Sequence, residues 1–417
     1  MRVVVFEDEL VSRLFPITIG RAAYAITCGS FRLVDWLREL GGPMRGLVRP
    51  HLVEIQQTDF SDLVAAPSPS SDRQPTLYVN ARIVPSRATF RTLQRLASEV
   101  RSGIAHTGNE VAAVLFPAEA PPPPTHLAAD KLTDFFDYAG AASLPPVEAE
   151  LPLFEYPHDV IRYNMQTLAE SLEHRLSRGG YQEIAEGVFT ADGATLGKYA
   201  VTNSRNGPIL LDEGATVGPF CYLSGPAYLG RGARINEHSA IKDAVSIGHT
   251  TKIGGEVEAS IIEPFTNKQH HGFLGHSYLG SWINLGAGTC NSDLKNTYGS
   301  VKMVYRGEDV MTGMQFLGCI MGDYAKTAIN TGIFTGKTIG ACSMVYGFVT
   351  TNVPSFVNYA RLFGQVTELP AEVMVATQQR MFVRRKVSQR PCDAQLLHDM
   401  YELTRHERQL AGEPLSL

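Results

Sequence analysis

The sequence predicts two fold classes in one chain: an α/β domain first, then a left-handed parallel β-helix of hexapeptide repeats. Three observations carry this. From Leu211, every sixth residue is aliphatic (Leu211, Val217, Leu223, Leu229, Ile235, Ile241, Ile247 and Ile253). The positions four after the first seven (Ala215, Cys221, Ala227, Ala233, Ser239, Val245 and Thr251) are all small or β-branched. Ahead of this stack, short apolar runs alternate with amphipathic ones.

The elements follow in chain order. "VVVF" at 3 to 6, "LYVNARIV" at 77 to 84 and "VAAVLF" at 111 to 116 read as buried strands, while "FRLVDWLREL" and "ATFRTLQRLASEV" read as amphipathic helices. "APPPP" at 120 to 124 fits neither a helix nor a central strand and is expected to be an exposed excursion. In "PHDVIRYNMQTLAESLEHRL", Asp159 is the expected N-cap, Ile161, Met165, Leu168, Leu172 and Leu176 form one apolar face, and Gly179 and Gly180 stop the helix. This helix is expected to connect two domains.

A period of six matches neither a helix, at 3.6, nor an ordinary strand, at two. It matches the hexapeptide repeat, in which each hexad supplies a short strand and a turn. Three hexads close a triangular coil, and coils stack to bury their faces. The spacing then breaks twice. Ala259 keeps phase, but the next series runs Phe273, Leu279, Leu285, which predicts a loop leaving the coil around 263 to 271. After Leu285, the polar Asn291, Asp293, Lys295 and Asn296 replace aliphatics until Met321, Thr327, Ile333, Ile339 and Val345 restore the pattern. Loops on a rigid scaffold are the usual place for function. The tail after Pro354 and Pro370 carries a basic run, "RMFVRRKVSQR". A solvated end is expected there, with contact to an anionic cofactor as the other reading.

The boundaries are therefore 1–155 for the α/β domain, 156–182 for the connector helix, 183–356 for the β-helix and 357–417 for a partly helical tail. With a formal charge of −5 and 19% charged residues, nothing calls for nucleic acid or an acidic membrane surface. The six cysteines form no CxxC pair, which argues against a disulfide framework and a structural zinc site. No uncharged apolar stretch of about 18 residues occurs. A cytoplasmic location is expected.

"GGEVEASIIEPFTNKQHHGFLG", "NLGAGTCNSDLKNTYG" and "MGDYAKTAINTG" resemble segments of the GlmU-like bifunctional N-acetylglucosamine-1-phosphate uridylyltransferase / glucosamine-1-phosphate N-acetyltransferase family, in its divergent branch. The likeness is dense from about Tyr156 to Phe356 and thin before. It implies a nucleotidyltransferase-like N-terminal domain, an acyltransferase β-helix, a homotrimer, and acetyl-CoA as donor to an amino-sugar phosphate such as glucosamine-1-phosphate. Carried over by position, His270 is the base, with Phe273 where the family has tyrosine. Asn284 and Asn291 are substrate-binding, and Ala287 contacts acetyl-CoA. Ser292 replaces a tyrosine. The family's sugar-phosphate lysine falls on Ser260, leaving Lys268, Lys295 or Lys252 as substitutes.

The residues suit that chemistry. An attacking amine must first lose a proton, and an imidazole titrates near working pH. The turn at Gly286 and Gly288 offers backbone N–H groups to an oxyanion and to the acetyl-CoA thioester. Lys268 and Lys295 can grip phosphate, and Asn284 and Asn291 can hold hydroxyls. His271 and His276 are weaker candidates. Two competing readings use the same coils: a trimeric zinc hydrase of the carbonic anhydrase type with His249, His271 and His276 as ligands, and a non-catalytic sugar-nucleotide-binding scaffold. A longer acyl chain on a carrier protein is the alternative donor. For the N-terminal domain, the family's Gly-x-Gly-Thr-Arg loop is missing, although Arg13, Pro16, Thr18 and Arg21 resemble the run that follows it. Uridylyl transfer from UTP or another NTP is the second activity expected, with Arg13 and Arg21 on phosphate and Asp8 as a magnesium ligand.

Overall fold

A computed structural model of the protein describes residues 1–64, 74–99, 101–121 and 131–410. Of the proline run, Pro122 to Pro124 lie outside the described residues.

The N-terminal sheet contains β1 (Arg2–Phe6), β2 (Met44–Leu47), β3 (Thr76–Asn80), β4 (Gly103–Thr107) and β5 (Glu110–Phe116), in the order β2-β1-β3-β5-β4. The first three run parallel and β5 runs antiparallel to both its neighbours. Val3, Val4 and Val5 are fully buried, as a strand covered on both faces requires. α1 (Leu33–Glu39) and α3 (Arg87–Glu99) lie where helical periodicity places them; α2 (Val53–Asp59) and α4 (Leu132–Tyr138) complete the domain. β3 stops at Asn80, short of the expected strand end at residue 84.

α5 (Pro157–Ser177) forms as expected, with a different start. Tyr156 is the N-cap and Pro157 opens the helix. Asp159 sits at the third helical position, where its carboxylate accepts from the Tyr156 N–H at 2.8 Å and the Glu155 N–H at 3.0 Å.

From Val188 onward the chain winds into a left-handed parallel β-helix of about ten turns with three walls. Leu211, Leu229 and Ile247 stack in register on wall one, Val217, Ile235 and Ile253 on wall two, and Leu223 and Ile241 on wall three. All point inward and are at most 4% exposed. Burial of those aliphatic rows is the main favourable term holding the coils together.

The first break in spacing has a different cause from the expected loop. Wall three takes Val257, paired with Ile241, and wall one takes Ile262, paired with Ile247. Two corners are shorter by one or two residues, and Ala259 lies on one of them with φ +43°. Residues 263–271 remain in the coil. The interior line continues through Lys268, Leu274, Leu279, Leu285 and Asn291, so Phe273 faces outward and Leu274 inward. The second break is a true excursion, between Asn291 and Cys319. Its hairpin (Lys302–Tyr305 and Glu308–Met311) leans on the N-terminal domain, burying Met303 and Tyr305 there.

The tail is not a solvated end. Strands Val357–Ala360 and Gln365–Glu368 close wall two, followed by α6 (Ala371–Arg384), α7 (Pro391–Leu403) and α8 (Arg405–Leu410). Met374, Phe382, Leu397 and Met400 enter the same core as β1 and α1. Within the basic run, Arg385 bonds Asn267 on wall two, and Arg390 pairs with Asp59 of α2 and with Asp393.

Candidate functional site

The corner between walls two and three carries His270 and His271, both exposed. It is braced from beneath. Asn236 donates to the Gln269 carbonyl at 2.9 Å, and the Lys268 ammonium donates to the carbonyls of His270 at 2.9 Å and Gly254 at 2.7 Å. Gly254 must be glycine, since a Cβ there would lie 2.3 Å from the Gln269 oxygen. The one hydrogen-bond partner of the His270 ring among the described residues is Gln269 Nε2, at 3.4 Å. His271 turns the other way: its Nε2 would stand 3.4 Å from a Cβ on Gly288 (φ +76°) in the next coil.

In that next coil, the Gly286 N–H is bonded to Thr327 and the Gly288 N–H to the His271 carbonyl. The two glycines expected to offer N–H groups are therefore engaged within the coil. The Ala287 N–H between them donates to nothing among the described residues. Asn284 is exposed on the outer face of wall two, and Phe273 faces outward with its N–H 3.4 Å from Cys290 Sγ.

Other expected ligands point elsewhere. Lys268 fills an interior position, 2% exposed, and burial pushes its amine down to about 8. Asn291 is also interior, bonded to the Gly275 N–H and carbonyl. Lys295 belongs to the excursion, donating to the Ser300 carbonyl at 3.0 Å. Lys252 stands on the outer face of wall two, beside Arg234 of the coil before. The lowered value at Lys268 has a measurable sign. Below about pH 8 the charged amine is retained inside the prism at a cost, and as pH rises from 8 towards the ordinary lysine value the unfolded chain holds the extra proton, so stability increases. Urea midpoints at pH 8 and pH 10 should show this rise in the native protein and a smaller one in Lys268→Met; equal rises would contradict it.

The three histidines proposed for zinc lie on three edges of the prism: His249 between walls one and two, His271 between two and three, and His276 between three and one. They do not converge within one chain. His276 has a role the spacing concealed. Its Nδ1 lies 2.9 Å from Asp293 Oδ2 and its ring stacks on Phe316. A carboxylate on Nδ1 fixes the ring and leaves Nε2 to take a proton. Asp293 was readable only as part of a polar break, because its partner lies 17 residues away across a corner.

In the N-terminal domain, Arg13, Arg21 and Asp8 are not assembled. Arg13 is exposed. Arg21 is half-buried against the β-helix, with Nη1 3.0 Å from Glu263, Nη2 on Asp323 and Nη2 3.0 Å from Ser281 Oγ. Asp8 takes the Arg82 guanidinium at 2.6 Å and the Asn80 amide at 2.8 Å; Glu110 reaches the same guanidinium at 3.6 Å. These carboxylates hold a fixed cation where a magnesium charge would stand, so the donor set does not fit the metal.

The architecture is that of a nucleotidyltransferase-like domain joined to a hexapeptide-repeat β-helix. Residues 3–178 match the family described as sugar nucleotidyl transferase, on the half where the sequence likeness was thin. A bifunctional sugar-1-phosphate nucleotidylyltransferase/acetyltransferase of Sulfurisphaera tokodaii is 30% identical over 38% of this chain and 40% of its own length. The bifunctional protein GlmU of Cupriavidus pinatubonensis is 32% identical over 27% and 25%, and that of Azorhizobium caulinodans 30% over 39% and 39%. A UDP-N-acetylglucosamine acyltransferase of Francisella novicida superposes over 53% of this chain and 88% of its own at 15% identity, with a TM-score of 0.33. Parts of the chain are thus similar to GlmU-like proteins, and its matches span 25 to 40% of the length of those curated relatives.

Proposed function

We propose that the β-helix transfers an acetyl group from acetyl-CoA to the amine of an amino-sugar phosphate such as glucosamine-1-phosphate. The observation that carries this reading is the exposed imidazole of His270, on a rigidly braced corner one coil from the Ala287 N–H. His270 takes the proton of the attacking amine, the nitrogen adds to the thioester carbonyl, and the C–S bond breaks. The proton leaves with the CoA thiol. The Ala287 N–H is the group best placed to hold the oxyanion. Asn284 and Phe273, both outward-facing, are the sugar-side contacts. Lys268 acts here as a brace under His270 rather than a phosphate ligand. Release of free thiol from acetyl-CoA, dependent on added glucosamine-1-phosphate, tests the reaction; its absence removes the reading.

The working unit is a homotrimer. Support comes from the third wall, which leaves Val201 and Phe348 61% and 53% exposed, and from Phe220 and Ile329 on its leading corner at 53% and 69%. Apolar area of that extent calls for a cover. Light scattering should give about three times the 45.6 kDa chain mass, and Phe220→Glu together with Phe348→Glu should give single chains. A native protein that scatters as one chain would remove the trimer.

The match of residues 3–178 supports a second reading, transfer of a nucleotidyl group from UTP or another NTP to a sugar-1-phosphate. Pyrophosphate release with both substrates and magnesium is the test, and none is the result that sinks it.

A further inference from the structure

A large cavity lies away from the corner that carries His270. About 1130 Å3 opens where residues 20–39 and α2 face the edge between walls one and two, with α6 and α7 along its rim. That volume slightly exceeds the range of ordinary small-molecule pockets. The carboxylates lining it are all engaged, by Arg21, Arg32, Arg38, Arg178, Arg390 or the Tyr228 hydroxyl.

Two arginines at the cleft have no ion-pair partner among the described residues, while one carboxylate, Asp212, is held by the neutral Tyr228 hydroxyl rather than by a cation. Arg175 lies between two rings, 4.0 Å from the centre of Phe31 and 4.5 Å from that of Tyr228, and bonds Ser30. Among the described residues, neither Arg175 nor the exposed Arg231 has a carboxylate within salt-bridge distance. Ser246, the register partner of Tyr228 in the next coil, is 1% exposed, and its Oγ has no hydrogen-bond partner among the described residues. A buried hydroxyl without a partner is costly and marks a place for one. Burial, then the charges of Arg231 and Arg32, push the nearby His249 below its ordinary value, so two guanidiniums already act at this edge.

Guanidinium forks match phosphate oxygens in shape and charge. We propose that this cleft binds a phosphorylated small molecule by its phosphoryl group, held by Arg175, Arg231 and Ser246, at a site separate from His270. The inference does not rest on acetyl transfer, because no residue assigned to that reaction lines the cleft.

Calorimetric titration with inorganic phosphate, glucosamine-1-phosphate and UDP tests it and separates the sources of the phosphoryl group. At least one probe should bind saturably, and its affinity should fall about tenfold or more in Arg231→Ala and in Ser246→Ala. Ser246→Ala has no internal bond to lose, so its melting temperature without ligand should equal or exceed that of the native protein. That separates weaker binding from misfolding. Failure of all three probes to saturate, or binding that both variants retain at native strength, overturns the proposal.

Discussion

Replacing Arg21 with methionine is expected to lower the free energy of unfolding by about 3–5 kcal/mol, the range for removing one partner of a buried ion pair. The guanidinium is the cation of a network that includes Glu263, Asp323 and Ser281. Glu263 also accepts the Thr27 N–H at 3.0 Å, the Thr27 hydroxyl at 2.9 Å and the Tyr278 hydroxyl at 2.8 Å. Methionine conserves much of the stem volume but leaves two buried carboxylates facing each other. Burial already raises Asp323 even with Arg21 present, so the variant should take up protons there and lose most stability at high pH. Urea unfolding of both proteins at pH 6 and pH 8 measures this. A loss below about 1 kcal/mol would mean that the network is replaceable.

His270→Ala should reduce kcat for acetyl transfer by about 10²- to 10⁴-fold, the usual worth of one general base. KM for acetyl-CoA should change little, because the ring makes no contact that shapes the corner. The informative control is His276→Ala. If His270→Ala retains turnover while His276→Ala loses it, the base is the Asp293-held imidazole and the assignment by resemblance is wrong. If neither variant loses activity, neither imidazole is the base.

The prism was legible because its interior rows admit little but aliphatic side chains, and Leu211 to Ile253 obey that rule without exception. The break in spacing after Ala259 predicts an inserted loop around 263 to 271. In fact short corners moved the interior row from Ala259 to Val257, and a one-dimensional period cannot tell a deletion in one turn from an insertion in the next. Lys268 and Asn291 are polar residues in an apolar series, a pattern that usually serves function and so predicts ligands. Their partners are main-chain carbonyls and N–H groups at corners, and such groups leave no mark in the residue order. Arg21 and Arg390 show the other limit. Each was visible as a basic residue, but the carboxylates that hold it lie more than 200 residues away in the chain for Arg21 and more than 300 for Arg390, in Asp59.

The hairpin at 302–311 and the last helices have a consequence for dissecting this protein. Met303 and Tyr305 from the middle of the coils, Met374 and Met400 from the end, and Val3 from the beginning are packed together. A cut at Gly179 and Gly180 would expose apolar surface on both fragments at once. Neither half can be lent to another protein as a module, and heating should melt both in a single transition.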